Sequence, residues 1–288
     1  MGRRPNHVGP VGNIKIGQRS MNSEGEPYFN IAETAGFYSQ LAGVLAGFAF
    51  AAIMVLLTAR MAPSSESSEE VQPFSGATRL LVVSLVGLIL ASLNYAILAG
   101  DLPGSHRSAS LELVGGLGFG AAGLSLIYAI VLTIDGVNIT ARGVHHDLKS
   151  VGDFLRAVLA TILIPLIFSL VYLGVQDFTY TATGPGIYAI DIVSWILLSL
   201  QFTTGIVDYI WHGTKTDKLD HNSREIKIKK AATVALGVMI LTTVSFATLA
   251  ATLYDNAKDG PEFVPYATMI VAYIGATIFA HHLGQTRP

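Results

Sequence analysis

Apolar residues in this chain are gathered into blocks of about twenty, not spread in the alternating patterns of a half-buried sheet or a surface helix. A helix rises 1.5 Å per residue, so about 20 mostly apolar residues are needed to cross roughly 30 Å of hydrocarbon. Seven blocks reach or approach that length: 36–59, 80–100, 112–134, 154–175, 187–210, 231–254 and 263–283. Lipid offers no partner to bare backbone groups, so open-ended spans of this kind are helical. The segments between them hold turn-formers, among them Pro103-Gly104, Gly184-Pro185-Gly186 and Asp259-Gly260-Pro261. Pro265 fits the last block only in its first turn. Charged residues make up 13% of the chain, about half the share in soluble domains. The expected fold is an all-α integral membrane protein, a bundle of about seven transmembrane helices.

Around the bundle (34–284) the sequence places two polar pieces. Residues 1–33 carry Arg3, Arg4, Lys15 and Arg19 without the apolar run of a cleaved signal peptide, and read as a polar tail. Residues 61–77, rich in Ser and Glu, read as a flexible cytoplasmic loop. The chain has no cysteine, which excludes disulfides, thiolate nucleophiles and Cys-ligated metals. A net charge of −2 gives no sign of a nucleic-acid partner; the expected partner is membrane lipid.

Orientation follows from Lys and Arg, which collect on the cytoplasmic side of a membrane. Loops 1–2, 3–4 and 5–6 with the C-terminal tail hold twelve: Arg60, Arg79, Arg142, Lys149, Arg156, Lys215, Lys218, Arg224, Lys227, Lys229, Lys230 and Arg287. The other side holds six, four of them in the N-terminal tail. The N-terminus is therefore expected outside and the C-terminus in the cytoplasm, in a bacterial-type cell membrane. Lys227, Lys229 and Lys230, beside the sixth span, are placed to hold anionic lipid head groups.

Span three contains a literal GxGxxG at Gly118, Gly120 and Gly123. As a nucleotide fingerprint it is rejected, because that motif works only between a strand and a helix. Gly116 and Gly120, like Gly43 and Gly47 in span one, read instead as small residues that let another backbone approach. The contact is either within the bundle or between copies in a homo-oligomer. Pro165 removes a backbone bond in mid-span four and predicts a kink.

Polar groups within hydrocarbon are the strongest functional clue in a chain of this kind. In span five, Asp191, Ser194, Gln201, Gly205, Asp208 and His212 share one arc of about 100° at a helical repeat. Ile192, Trp195, Ile196, Phe202 and Ile206 occupy the other face. This stripe reads as a channel or transporter-like conduit for protons or small cations, with Asn94, Tyr38, Gln40, Tyr266 and Tyr273 as candidate partners from other spans. The plainer alternative is that Asp191 and Asp208 reach interfacial water and Gln201 bonds a neighbouring helix. The chain would then be a non-transporting sensor, anchor or pore-forming effector component acting through its cytoplasmic loops.

A third reading, an interfacial metallohydrolase, comes from histidines on the cytoplasmic side. His145, His146, His212, His281 and His282 could meet there and hold zinc. In architecture such a site resembles the seven-helix membrane hydrolases related to ceramidases, whose ligands gather at cytoplasmic helix ends. The chain departs from them in lacking an HxxxH pair in the last span and any His in span two. No other cofactor is expected: residues 263–283 hold no Lys for a retinal Schiff base, and no His lies deep in a span for haem.

Overall fold

The structure, a computed structural model, describes residues 31–61, 74–101, 105–140, 146–181, 187–214, 221–253 and 263–285. Every regular element among them is helical: α1 Ile31–Met61, α2 Ser75–Leu98, α3 His106–Thr140, α4 His146–Val158, a π-helical turn Leu159–Leu163, α5 Ile164–Thr181, α6 Ile187–Thr214, α7 His221–Thr252 and α8 Phe263–Gln285. α4, the π turn and α5 form one rod. Six of the rods are long and apolar enough to cross a membrane: α1, α2, α3, α4–α5, α7 and α8. In α6 the apolar run among the described residues is shorter, Ile192–Thr204.

Successive rods alternate in direction. One end of the bundle, here the basic end, holds the start of α7 with Lys227, Lys229 and Lys230. The described ends of α1, α3 and α8 lie on the same side. α3 is the hub and packs against α1, α2, α5, α7 and α8. Its glycines explain how, because packing in lipid depends on close backbone approach and not on expelling water. A Cβ at Gly118 would lie 2.8 Å from Thr242 Oγ1 on α7, and one at Gly120 would lie 2.6 Å from Ile167 Cγ2 on α5. At Gly116 it would meet only the Tyr95 hydroxyl, at 3.6 Å. Gly43 on α1 faces Ser92 Oγ at 3.8 Å, whereas Gly47 has nothing within 4 Å.

Hydroxyls add directional bonds to this packing. Ser39 Oγ on α1 donates to the Ser92 carbonyl on α2 at 2.9 Å, and Ser92 Oγ donates back to the Ser39 carbonyl at 2.9 Å. Ser84 Oγ on α2 reaches the Ala122 carbonyl on α3 at 3.0 Å. Such interhelical bonds each contribute about 0.6 kcal/mol, up to about 1.7. At the basic end Glu225 on α7 accepts from Arg79 at 3.2 Å and from Ser75 at 3.3 Å, tying the starts of α2 and α7 together.

α2 begins at Ser75, within the stretch that reads as a linker. The reason is close packing: a Cβ at Gly76 would lie 2.9 Å from Ile228 Cγ2, and Ala77 is 1% exposed. Small residues that look like linker in sequence are here what lets α7 come near. Large apolar side chains such as Phe37, Phe48, Leu93, Leu170, Ile192 and Val244 face outward, where a membrane would supply lipid. The expected break at Pro165 takes the form of the π turn. The Ile164 amide bonds the Leu159 carbonyl, five residues back. That wider turn is one established way to accommodate a missing amide and a proline ring.

Candidate functional site

α6 turns Ser194 and Gln201 inward. Ser194 is 1% exposed and Gln201 is fully buried, whereas Ile192, Trp195, Ile196 and Phe202 on the opposite face are exposed. The buried face lies against α8 and α5. Thr277 on α8 donates its hydroxyl to Gln201 Oε1 at 3.3 Å, and Gln201 Nε2 has no hydrogen-bond partner among the described residues. A buried amide N–H₂ without an acceptor is costly, of order 1–3 kcal/mol. Asp191, Gly205, Asp208 and His212 belong to α6, but their side chains lie outside the described residues.

The structure does not bring all the proposed partners to this face. Asn94 is buried on α2, which packs against α1, α3 and α7, so it stands apart from Gln201. Tyr38 and Gln40 lie on α1, whose neighbours are α2 and α3. Tyr266 and Tyr273 are on α8, the helix that does face α6, packed at the edge of its apolar core.

Two further groups of ionisable side chains lie near the ends of α3. Towards the end away from the lysines, Tyr95 is buried with its ring 5.3 Å from Tyr38 and 6.1 Å, edge-on, from Phe119. Glu112 lies one turn before Gly116, beside which the Tyr95 hydroxyl sits. Its Oε2 is buried without a hydrogen-bond partner among the described residues. Asp177 on α5 is close enough to Glu112 for the two carboxyls to interact electrostatically, and so is Tyr95. The close approach of α3 and α5 sets this up, since a Cβ at Gly174 would lie 3.3 Å from Leu113 Cδ1.

At the basic end Asp135 on α3 holds Arg156 of the α4–α5 rod in a buried ion pair. The Arg156 side chain is 2% exposed, and its second partner is Asp153 at 3.3 Å. Arg156 counts as a loop cation in the topology argument; the structure instead puts it inside a helix, neutralised by α3. Gly152 makes room for the pair, because a Cβ there would lie 3.2 Å from Asp135 Oδ1. Removing one partner of such a pair strands the other charge and costs about 3–5 kcal/mol.

Sequence reasoning passed over Glu112, Asp135, Arg156 and Asp177 as site residues. Each lies near the limit of an apolar block, where a charge can ordinarily reach interfacial water. The available signal was their distribution: acidic residues near both limits of the most glycine-rich span.

Of the inner-side histidines, His145 and the side chains of His146, His212 and His221 lie outside the described residues. The His281 and His282 rings are 6.0 Å apart, and His282 Nδ1 is buried without a partner among the described residues. Among the described residues no three His, Asp or Glu side chains are grouped to hold a metal. The chain matches no protein-family model, no curated protein and no solved structure.

Proposed function

We propose that this multi-pass helical protein crosses the membrane seven times, N-terminus outside and C-terminus in the cytoplasm, and is a conduit or carrier for protons or small cations. The α6–α8 seam is its polar element. The observation that carries this reading is Gln201: a fully buried amide on a helix whose other face is apolar, with one oxygen held by Thr277 and an N–H₂ left to donate. Groups that both donate and accept, such as this amide, the Thr277 hydroxyl and Ser194, are what a relay through a dry interior requires. Asp191 and Asp208 bracket Gln201 at about 15 Å and 10 Å along the helix axis, near enough to the membrane faces to exchange with water.

Purified protein in liposomes loaded with a pH-sensitive dye tests this. Proton or cation flux is expected, with loss of at least tenfold in Gln201→Leu and Asp208→Asn. Folded variants that conduct like the wild type would reduce α6 to scaffolding.

The Asp135–Arg156 pair favours a second reading. It cross-links α3 to the α4–α5 rod inside the bundle, as suits a static membrane sensor or anchor that works through its cytoplasmic loops. Wild-type liposomes that carry no ion at any pH or potential would leave that reading in possession.

A further inference from the structure

We propose that an anionic phospholipid occupies the seam between α7 and α8, with its phosphoryl head group held by Lys227, Lys230 and His282. This inference does not rest on conduction and holds equally for a static bundle.

Three observations meet at this seam. The first is an apolar seam. A cavity of about 50 Å³ lies where α7 and α8 meet α3 and α5, lined by Leu117, Ile167, Phe168, Val234, Gly275 and Phe279. A second, of about 340 Å³, lies further from the basic end between Leu241, Thr248 and Val264. Leu117 and Val271 line both cavities, so one seam runs through the two. The second observation is the charge at its end. Val234 lies one turn from Lys230, and Phe279 lies one turn from His282, so the cationic cluster begins one turn beyond the lining of the first cavity. Lys227, Lys230 and His281 are all within electrostatic reach of His282.

The third observation is that nothing among the described residues compensates this charge. Lys227, Lys229 and Lys230 make no ion pair among the described residues, and Glu225 is already engaged by Arg79 and Ser75. His282 presents a buried Nδ1 with no partner among the described residues. Topology alone explains lysines at a membrane boundary. It does not explain a half-buried histidine within electrostatic reach of two of them, one turn beyond an apolar cavity. A phosphodiester with acyl chains supplies both missing parts: oxygens for the lysine ammoniums and the imidazole, and hydrocarbon for the seam. Lysine stems can follow the apolar surface while their ammoniums reach the phosphate plane.

The test is native mass spectrometry of the detergent-purified full chain, titrated in parallel with phosphatidylglycerol, phosphatidylcholine and inorganic phosphate. Phosphatidylglycerol should be retained at one per chain, and phosphatidylcholine at least fivefold more weakly. Lys227→Gln, Lys230→Gln and His282→Gln should each weaken retention of phosphatidylglycerol severalfold, about fivefold for a lysine beside the phosphate plane. Lys230→Arg should restore it, which shows that the site and not the fold was lost. Lys229→Gln should weaken retention less than Lys230→Gln. Equal losses across the three lysines would mean diffuse attraction to charge and overturn the site. Equal retention of both lipids, or variants that bind like the wild type, would overturn it too. Stabilisation by inorganic phosphate as strong as that by phosphatidylglycerol would reassign the cluster to a soluble anion.

Discussion

α3 carries a carboxyl near each end, Asp135 buried and Glu112 half-buried, and the two are treated in opposite ways. Asp135 at the basic end is held by Arg156, itself almost wholly enclosed. Glu112 near the far end has an oxygen with no partner among the described residues and lies within electrostatic reach of a second carboxyl, Asp177, and of Tyr95. The first arrangement fastens two rods together. The second gains nothing for the fold that an apolar residue would not supply, so its presence calls for a reason other than stability. Burial of a charge is thus no guide to its role until its partner is known.

The contrast yields a graded set of expectations. Arg156→Met strands Asp135 and should lower unfolding free energy by about 3–5 kcal/mol. Asp135→Leu combined with Arg156→Met should recover most of that loss, as replacement of a whole buried pair usually does. Thermal unfolding of the detergent-solubilised protein reads both, and a double variant no better than the single would remove the pair from the account. Gly152→Ala should cost less. Crowding of Asp135 Oδ1 at 3.2 Å amounts to about 1–3 kcal/mol, offset by about 1 kcal/mol of helix propensity. Its natural control is Gly123→Ala, where a Cβ meets nothing within 4 Å and the propensity gain should appear alone.

Smallest of all should be Glu112→Gln, which relieves repulsion from Asp177 and should leave stability unchanged or raise it by up to about 1 kcal/mol. A loss approaching that of Arg156→Met would show that Glu112 is held by a partner, and the two ends of α3 would no longer differ.

What the sequence made legible was whatever depends on one segment at a time. The apolar blocks read directly as helices because hydrocarbon leaves the backbone no alternative. Ser194 and Gln201 share a face by helical geometry, and that face is the buried one in α6. What stayed hidden depends on which helices touch. Asp135 and Arg156 are 21 residues apart on two rods, and each looks like an ordinary boundary charge until the rods are packed. Asn94 is a plausible partner for α6 by depth alone, but α2 lies elsewhere. Gly76 and Ala77 read as linker because their smallness is common to turns and to close helix contacts; only Ile228 opposite them decides which.

The π turn at Leu159–Leu163 sets the phase of the whole α4–α5 rod. In an unbroken α-helix Arg156 and Phe168 would point about 120° apart. One extra residue in the wide turn brings that difference to about 20°, and Val175 into line with Arg156. The same rod can therefore present its guanidinium to Asp135 and its buried Phe168, Val171 and Val175 on one side. Because the wide turn holds one residue more than an α-helix needs, deleting Thr161 would let it close into α-helix with Arg156 and Phe168 still about 20° apart. Inserting one residue there would instead rotate one half against the other by about 100° and turn either the charge or the apolar stripe towards lipid, so this rod tolerates a loss at the turn far better than a gain.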